Sequence, residues 1–160
     1  MNREQTCRAA RSAALRIALT AVAILLGPLA SASGLDLAAY RGKVVYVDFW
    51  ASWCGPCRQS FPWLDELVRR YGDKNLVVIG VNVDMNRAYA ERFLDQVHAY
   101  FPIVYDPRGD IATTYKVAGM PSAVLIDRTG QVRFQHSGFS PGKKDEYEDQ
   151  LQALVNEAVH

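Results

Sequence analysis

Cysteine is scarce: three residues in 160, too few for a disulfide-stapled miniprotein. Neither sign of charge predominates. Eighteen Lys and Arg against 17 Asp and Glu leave a formal net charge of +1, which removes any general electrostatic case for nucleic-acid binding. Glycine and proline together supply 18 residues, so the chain is not of low complexity. The three histidines, His98, His136 and His160, show no metal-ligand spacing and read most simply as surface residues. Apolar residues are plentiful. At 49% apolar and 22% charged, the chain has the balance of a globular domain with a core, and its length suits one domain.

The N-terminus departs from that average. Arg3, Arg8, Arg11 and Arg16 face a single acid, Glu4, and an uncharged run, Ile17 to Leu26, follows. Gly27-Pro28 and the small residues around Ala30 and Ala32 come next. A positive start, a short apolar stretch and an A-x-A site are the layout of a secretory signal peptide over residues 1–32. The leader has no Arg-Arg pair, so the twin-arginine route has no support. The alternative is an uncleaved anchor: Ile17 to Leu35 is 19 residues without a charge, about 28 Å as a helix. Gly27-Pro28 argues against it by breaking the helix. Either reading places the folded part, residues 33–160, outside the cytoplasmic membrane, with a periplasmic location expected. Removing 32 of the 160 residues leaves 128, with 14 basic and 16 acidic side chains and two cysteines, Cys54 and Cys57.

Apolar patterning then alternates strand and helix. Lys43 to Trp50 is a nearly continuous apolar run, as for a strand buried on both faces. Cys57 to Tyr71 carries Phe61, Leu64, Leu67, Val68 and Tyr71 at helical spacing, and Gly72-Asp73 stops it. Asn75 to Val83 reads as a second buried strand. Arg87 to Tyr100 reads as a helix with Tyr89, Phe93 and Val97 on one face. Ile103 to Tyr105 is long enough only for an edge or connecting strand, and Asp110 to Tyr115 for a short helix. Ser122 to Ile126 and Gln131 to His136 are strands joined by the turn Asp127-Arg128-Thr129-Gly130. Lys143 to Val159 closes the chain as a helix with Tyr147, Leu151, Leu154 and Val155 inward. Helical crossovers imply parallel pairing and the tight turn implies antiparallel pairing. The expected fold is α/β, a central mixed sheet with helices on both faces.

Trp53-Cys54-Gly55-Pro56-Cys57 follows the first strand and opens a helix. Cysteines at this spacing can close a small disulfide ring across the first helical turn. Cys54 would lie at the N-terminal end, where free N–H groups and the helix dipole favour an anion. Gly55 and Pro56 suit that turn, because proline lacks an N–H that would be unpaired there anyway. Lowering a thiol pKa from about 8.5 to about 7 raises its thiolate fraction at pH 7 about fifteenfold. Nucleophilicity falls with pKa, so the net rate gain is only about threefold. The larger consequence is for the position of the dithiol–disulfide equilibrium. A zinc half-site or an inert structural disulfide are the other readings of the motif, and zinc would require two further ligands.

Asp48 lies in VVYVDFW among apolar neighbours, where a carboxylate is costly to desolvate and its pKa should rise. Six residues before Cys54, it can lie beneath the CxxC turn and take the proton of Cys57 when that thiol attacks a mixed disulfide. The other reading is a strand-end Asp that reaches water or caps a nearby amide. Gly119-Met120-Pro121 precedes the strand SAVLI, and its X-Pro bond is trans by default. A cis bond there would leave backbone groups free for an extended substrate.

The run VVYVDFWASWCGPCRQSFPWL resembles the active-site segment of the thioredoxin superfamily, and residues 35–158 resemble its secreted, TlpA-like branch of thiol-disulfide reductases. The segments VVIGVNVD and AGMPSAVLIDRTGQV and the helix–strand unit around Arg87–Tyr105 are similar to that branch as well. The resemblance implies that Cys54 attacks, Cys57 resolves, Asp48 is the buried acid, Pro62 kinks the active-site helix, and Pro121 is a cis-proline facing the CxxC turn. It implies no cofactor, protein disulfides as substrates, and a membrane thiol-electron transporter as donor. Three departures stand out. The N-terminal β-hairpin usual in that branch is expected to be reduced or missing ahead of LDLAAYRGK. Cytochrome-c-maturation reductases of similar fold often carry a functional glutamate after the second strand, where Val83-Asp84-Met85-Asn86 offers only Asp84. Their CxxC also tends to hold residues other than Gly-Pro.

The expected activity is therefore disulfide reduction by a monomeric protein. Trp53, Gly55, Pro56, Met120 and Pro121 line its substrate surface, and it binds no metal. The alternatives are a disulfide oxidase, a reductase dedicated to cytochrome c maturation, and a redox-inert peptide-binding or chaperone module.

Overall fold

The apolar run after Lys43 becomes the middle strand of a five-stranded sheet. A computed structural model describes residues 35–157; the expected leader over residues 1–32 lies outside them. Every residue of β1 (Val44–Trp50) is buried, because both faces of the sheet are covered. β1 pairs in parallel with β2 (Leu76–Asn82) and antiparallel with β4 (Ser122–Ile126). β3 (Ile103–Tyr105) adds to β2 in parallel, and β5 (Val132–Ser137) adds to β4 antiparallel. The order is β3-β2-β1-β4-β5, so the mixed sheet and the edge position of β3 agree with the patterning. Among the described residues no strand precedes β1; a single 3-10 turn, Ala38–Tyr40, stands there.

Alternation along β1 divides the core in two. Val44, Tyr46 and Trp50 face α1 (Gly55–Tyr71), α2 (Arg87–Val97) and α4 (Lys144–Asn156), against Phe61, Leu64, Phe93 and Leu151. Val45, Val47 and Phe49 face α3 (Asp110–Thr114) and the incoming segment, against Ile111, Ala112 and Leu37. Four aromatic rings lock α1 and α2 onto the end of β1. Trp50 meets Phe61 at 5.0 Å and Phe93 at 4.8 Å between centroids, and Phe61 meets Phe93 at 5.2 Å and Phe101 at 5.3 Å. Such tilted and edge-on pairs add to the burial of the rings themselves.

Element ends differ from the periodicity for identifiable reasons. α1 begins at Gly55 because Cys54 caps it and Pro56 fits its first turn. α2 stops at Val97 and not at Tyr100: His98 turns the backbone away, and the N–H of Tyr100 donates to Asp65 of α1 at 2.7 Å. The buried stripe of α2 runs through Ala90 and Phe93, while Tyr89 is 51% exposed. β5 starts at Val132 because the Gln131 N–H is held by the Asp127 carboxylate inside the turn. α4 is preceded by a 3-10 turn, Pro141–Lys143, so its first regular residue is Lys144.

Candidate active site

Chain direction brings the end of β1, the start of α1 and the start of β4 to one edge of the sheet. After Trp50 the chain turns through Ala51-Ser52-Trp53, with the Cys54 N–H donating to the Ala51 carbonyl at 3.1 Å. Cys54 is the N-cap of α1, and its Sγ accepts from the Cys57 N–H at 3.2 Å. Cys54 and Cys57 form a disulfide, S–S 2.05 Å with Cα atoms 5.3 Å apart. Cys57 is fully buried and Cys54 only 3% exposed, whereas Trp53 is 70% exposed. Gly55 and Pro56 are exposed as well. Of the two cysteines, only Cys54 keeps any contact with solvent.

Asp48 is on the α1 side of β1, in phase with Tyr46 and Trp50. Trp63 of α1 packs edge-on against Tyr46 and Phe61 packs edge-on against Trp50. The residue between those two strand positions is Asp48, so its side chain is on the face of β1 that α1 covers. It is 3% exposed, and its Oδ2 has no hydrogen-bond partner among the described residues. Burial raises its pKa well above the usual carboxylate range. The Tyr46 hydroxyl is pushed up as well, first by burial and then by the nearby Asp48 and Tyr147. The cross-strand neighbours of Asp48 are Gly80 and Ala123, so small residues flank it on both sides.

The Met120–Pro121 bond is cis, which corrects the trans default and agrees with the resemblance. Ser122 sits opposite Phe49, so Pro121 comes level with Trp50, at the end where the CxxC loop departs. The Gly119 carbonyl accepts from the Ser122 hydroxyl at 2.7 Å, and the Pro121 carbonyl from the Gly138 N–H at 2.8 Å. Neither backbone group of Met120 has a hydrogen-bond partner among the described residues. Of the backbone groups expected to be free, the carbonyl of Pro121 is thus taken within the fold, and those of Met120 are not.

Asp84 has a position that patterning did not reveal. Its carboxylate accepts from the Ser52 N–H and hydroxyl, each at 2.9 Å, and from the Asn82 amide at 2.8 Å. It is 4% exposed. It therefore anchors the loop that carries Cys54 and is not a free acid beside the disulfide. The sequence signal was a polar pair, Asn82 and Asp84, at the end of an apolar strand.

A CxxC disulfide capping the helix after the central strand, with a cis-proline just ahead of the neighbouring strand, defines a thiol-disulfide oxidoreductase of thioredoxin fold. The Redoxin family model matches residues 27–151, and the chain belongs to that family, within the TlpA-like part of the thioredoxin superfamily. It is similar to the thiol-disulfide oxidoreductase ResA of Bacillus thuringiensis subsp. konkukian, 31% identical over 76% of this chain and 69% of that protein. Its fold is similar to the crystal structure of a protein assigned as the thiol:disulfide interchange protein DsbE from Chlorobium tepidum. That match has a TM-score of 0.74 and 48% identity, covering 75% of this chain and 85% of the other. A third likeness is the exposed lipoprotein thioredoxin of Streptococcus pneumoniae, TM-score 0.65 and 33% identity, covering 74% and 90%.

Proposed function

We propose that this oxidoreductase works as a reductant of protein disulfides outside the cytoplasmic membrane. The Cys54 thiolate attacks one sulfur of a substrate disulfide, forms a mixed disulfide and releases the other substrate sulfur as a thiolate. Cys57, losing its proton to Asp48, attacks Cys54 Sγ and expels the second substrate sulfur. Two electrons pass from the dithiol to the substrate, Asp48 keeps the Cys57 proton until it returns to solvent or to a departing thiolate, and the Cys54–Cys57 disulfide remains. Trp53, Gly55 and Pro56 on one side of Cys54, and Met120 and Pro121 on the other, line the surface on which the substrate chain lies. A membrane thiol-electron transporter resupplies the two electrons, since an oxidising compartment offers no thiol pool of its own.

The observation that carries the direction is the buried carboxyl group of Asp48 on the α1 side of β1, whose Oδ2 has no hydrogen-bond partner among the described residues. A strong oxidant needs a stabilised thiolate, which makes its reduced form favourable. A carboxylate below the pair opposes added negative charge, and Gly55-Pro56 brings no cation or side-chain donor between the cysteines. Both features favour a reducing couple. Location outside the membrane is supported by the leader pattern and by the likeness to an exposed lipoprotein thioredoxin.

Insulin reduction with dithiothreitol as electron source tests the reading. The expected result is accelerated precipitation with wild type and none above background with Cys54→Ser. Turnover unaffected by that substitution, or an equilibrium with glutathione that leaves the dithiol strongly favoured, would overturn it.

A further inference from the structure

On the α2 side of the CxxC turn lies a cavity of about 210 Å³, lined by Ser52, Arg58, Tyr89, Arg92, Phe93 and Gln96. Ser52 is two residues before Cys54, and Arg58 directly follows Cys57, so the cavity adjoins the redox pair. Its only charged lining residues among those described are the two arginines. Each is stacked on a ring of α2: the Arg58 guanidinium carbon is 4.7 Å from the Phe93 centroid, and that of Arg92 is 4.8 Å from the Tyr89 centroid. Neither has a carboxylate partner among the described residues, whereas the neighbouring Arg87 is paired with Glu91 at 2.8 Å. Of the acids near the two arginines in the chain, Glu91 is taken by Arg87, Asp95 lines a separate pocket with Leu94 and His98, and Asp84 is buried and consumed by Ser52 and Asn82. Stacking holds a guanidinium by its face and leaves its N–H edge free for a carboxylate in the fork geometry. Tyr89, exposed on this rim, adds apolar area for the adjoining chain.

We infer that this cavity is a docking site for an acidic segment of the protein substrate, which places Asp or Glu side chains on Arg58 and Arg92 while a cysteine nearby in the same chain meets Cys54. The inference rests on the exchange activity proposed above and specifies its substrate class. The chain as a whole is nearly neutral, so the positive charge here is local and selects by position. A substrate chain crossing Cys54 would run from the Met120 backbone on one side to the two arginines on the other.

Three synthetic peptides test it, each closed by one disulfide and flanked by Asp and Glu, by Ser and Asn, or by Lys and Arg. The fully reduced protein is mixed with each, and exchange is quenched by acid and followed by chromatography. Every rate is divided by the rate of the same variant with 2-hydroxyethyl disulfide, which cancels changes in thiol reactivity. The normalised rate for the acidic peptide is expected to exceed that for the basic peptide about tenfold. That preference should fall to about one in Arg58→Ala/Arg92→Ala, invert in Arg58→Glu/Arg92→Glu, and shrink with added salt. Equal normalised rates for the three peptides with wild type, or a preference that survives the double charge reversal, overturns the docking site and leaves the exchange reading standing. Failure to reduce any of the four disulfides overturns the exchange reading, and the docking site with it.

Discussion

The Asp84 carboxylate holds both donors of Ser52, the backbone N–H and the hydroxyl, at 2.9 Å each. The two residues come from the loops that leave β2 and β1. Because β1 and β2 are parallel neighbours, these loops emerge side by side, and one carboxylate can tie the loop bearing the redox pair to the adjacent strand.

Asp84→Ala should therefore leave the Ser52 N–H and the Asn82 amide unpaired in a buried setting. The expected loss is about 2–3 kcal/mol of stability, read from urea denaturation of the oxidised protein. Asp84→Asn should fall between wild type and Ala. It retains one acceptor oxygen, but its NH₂ faces a donor.

Asp48 should make the protein less stable as pH rises. Burial lifts its pKa in the folded state, so between the unfolded and folded values the native protein holds a proton that the unfolded chain lacks. Stability then falls as pH rises through that window. Asp48→Asn should remove this slope and, above the window, be more stable than wild type by about 1–3 kcal/mol. Denaturation of both oxidised proteins from about pH 4 to about pH 8 checks it. The same variant should resolve mixed disulfides about a hundredfold more slowly.

Cys57→Ala should accumulate mixed disulfides through Cys54, because the buried thiol that expels the substrate is gone. Mass spectrometry of envelope proteins captured on this variant would identify the substrates, and Cys54→Ser should capture none. Recovery of cytochrome c or its maturation partners alone would favour the dedicated reductase over a general one.

Gly80→Ala should be destabilising by about 1–3 kcal/mol through overpacking. A Cβ at this position would lie 2.9 Å from Ile103 Cδ1, 3.0 Å from Phe101 Cε2 and 3.1 Å from the Trp50 indole nitrogen. The tip of Ile103 can yield, but Phe101 and Trp50 belong to the aromatic cluster. Thermal melting of the oxidised protein measures the effect.

Asp127 should act in the opposite sense to Asp48. Burial alone would raise its pKa, but hydrogen bonds from Thr129, Gln131 and Arg133 outweigh it and lower the pKa to about 2. Its stabilisation should be complete above the ordinary carboxylate range and be lost as pH falls toward that value. Asp127→Asn should cost about 1 kcal/mol near neutrality and nothing in strong acid, again by urea denaturation.

Strand and helix order was legible because burial on both faces leaves a continuous apolar run, as in Val44–Trp50, and burial of one helix face leaves a 3.6-residue period. Helix ends were less legible where a distant partner ends them, as Asp65 does for the chain at Tyr100, 35 residues later. Periodicity places Tyr89 inward, because it is large and falls in phase with Phe93. The position of α2 on Trp50 instead turned the smaller Ala90 to the core, so Tyr89 became part of an open rim.

Local chemistry is written directly in the chain. The spacing of Cys54 and Cys57 permits a ring across one helical turn, and an acid in an apolar strand must be buried with it, as Asp48 is. Spacing could not say which unrelated segments share an edge of the sheet. Parallel pairing of β1 with β2 brought Asp84 to Ser52, antiparallel pairing with β4 brought Pro121 level with Trp50, and packing of α2 on α1 set Arg58 beside Arg92. Contacts between residues distant in the chain depend on strand register and helix packing, and these arise from the whole core at once.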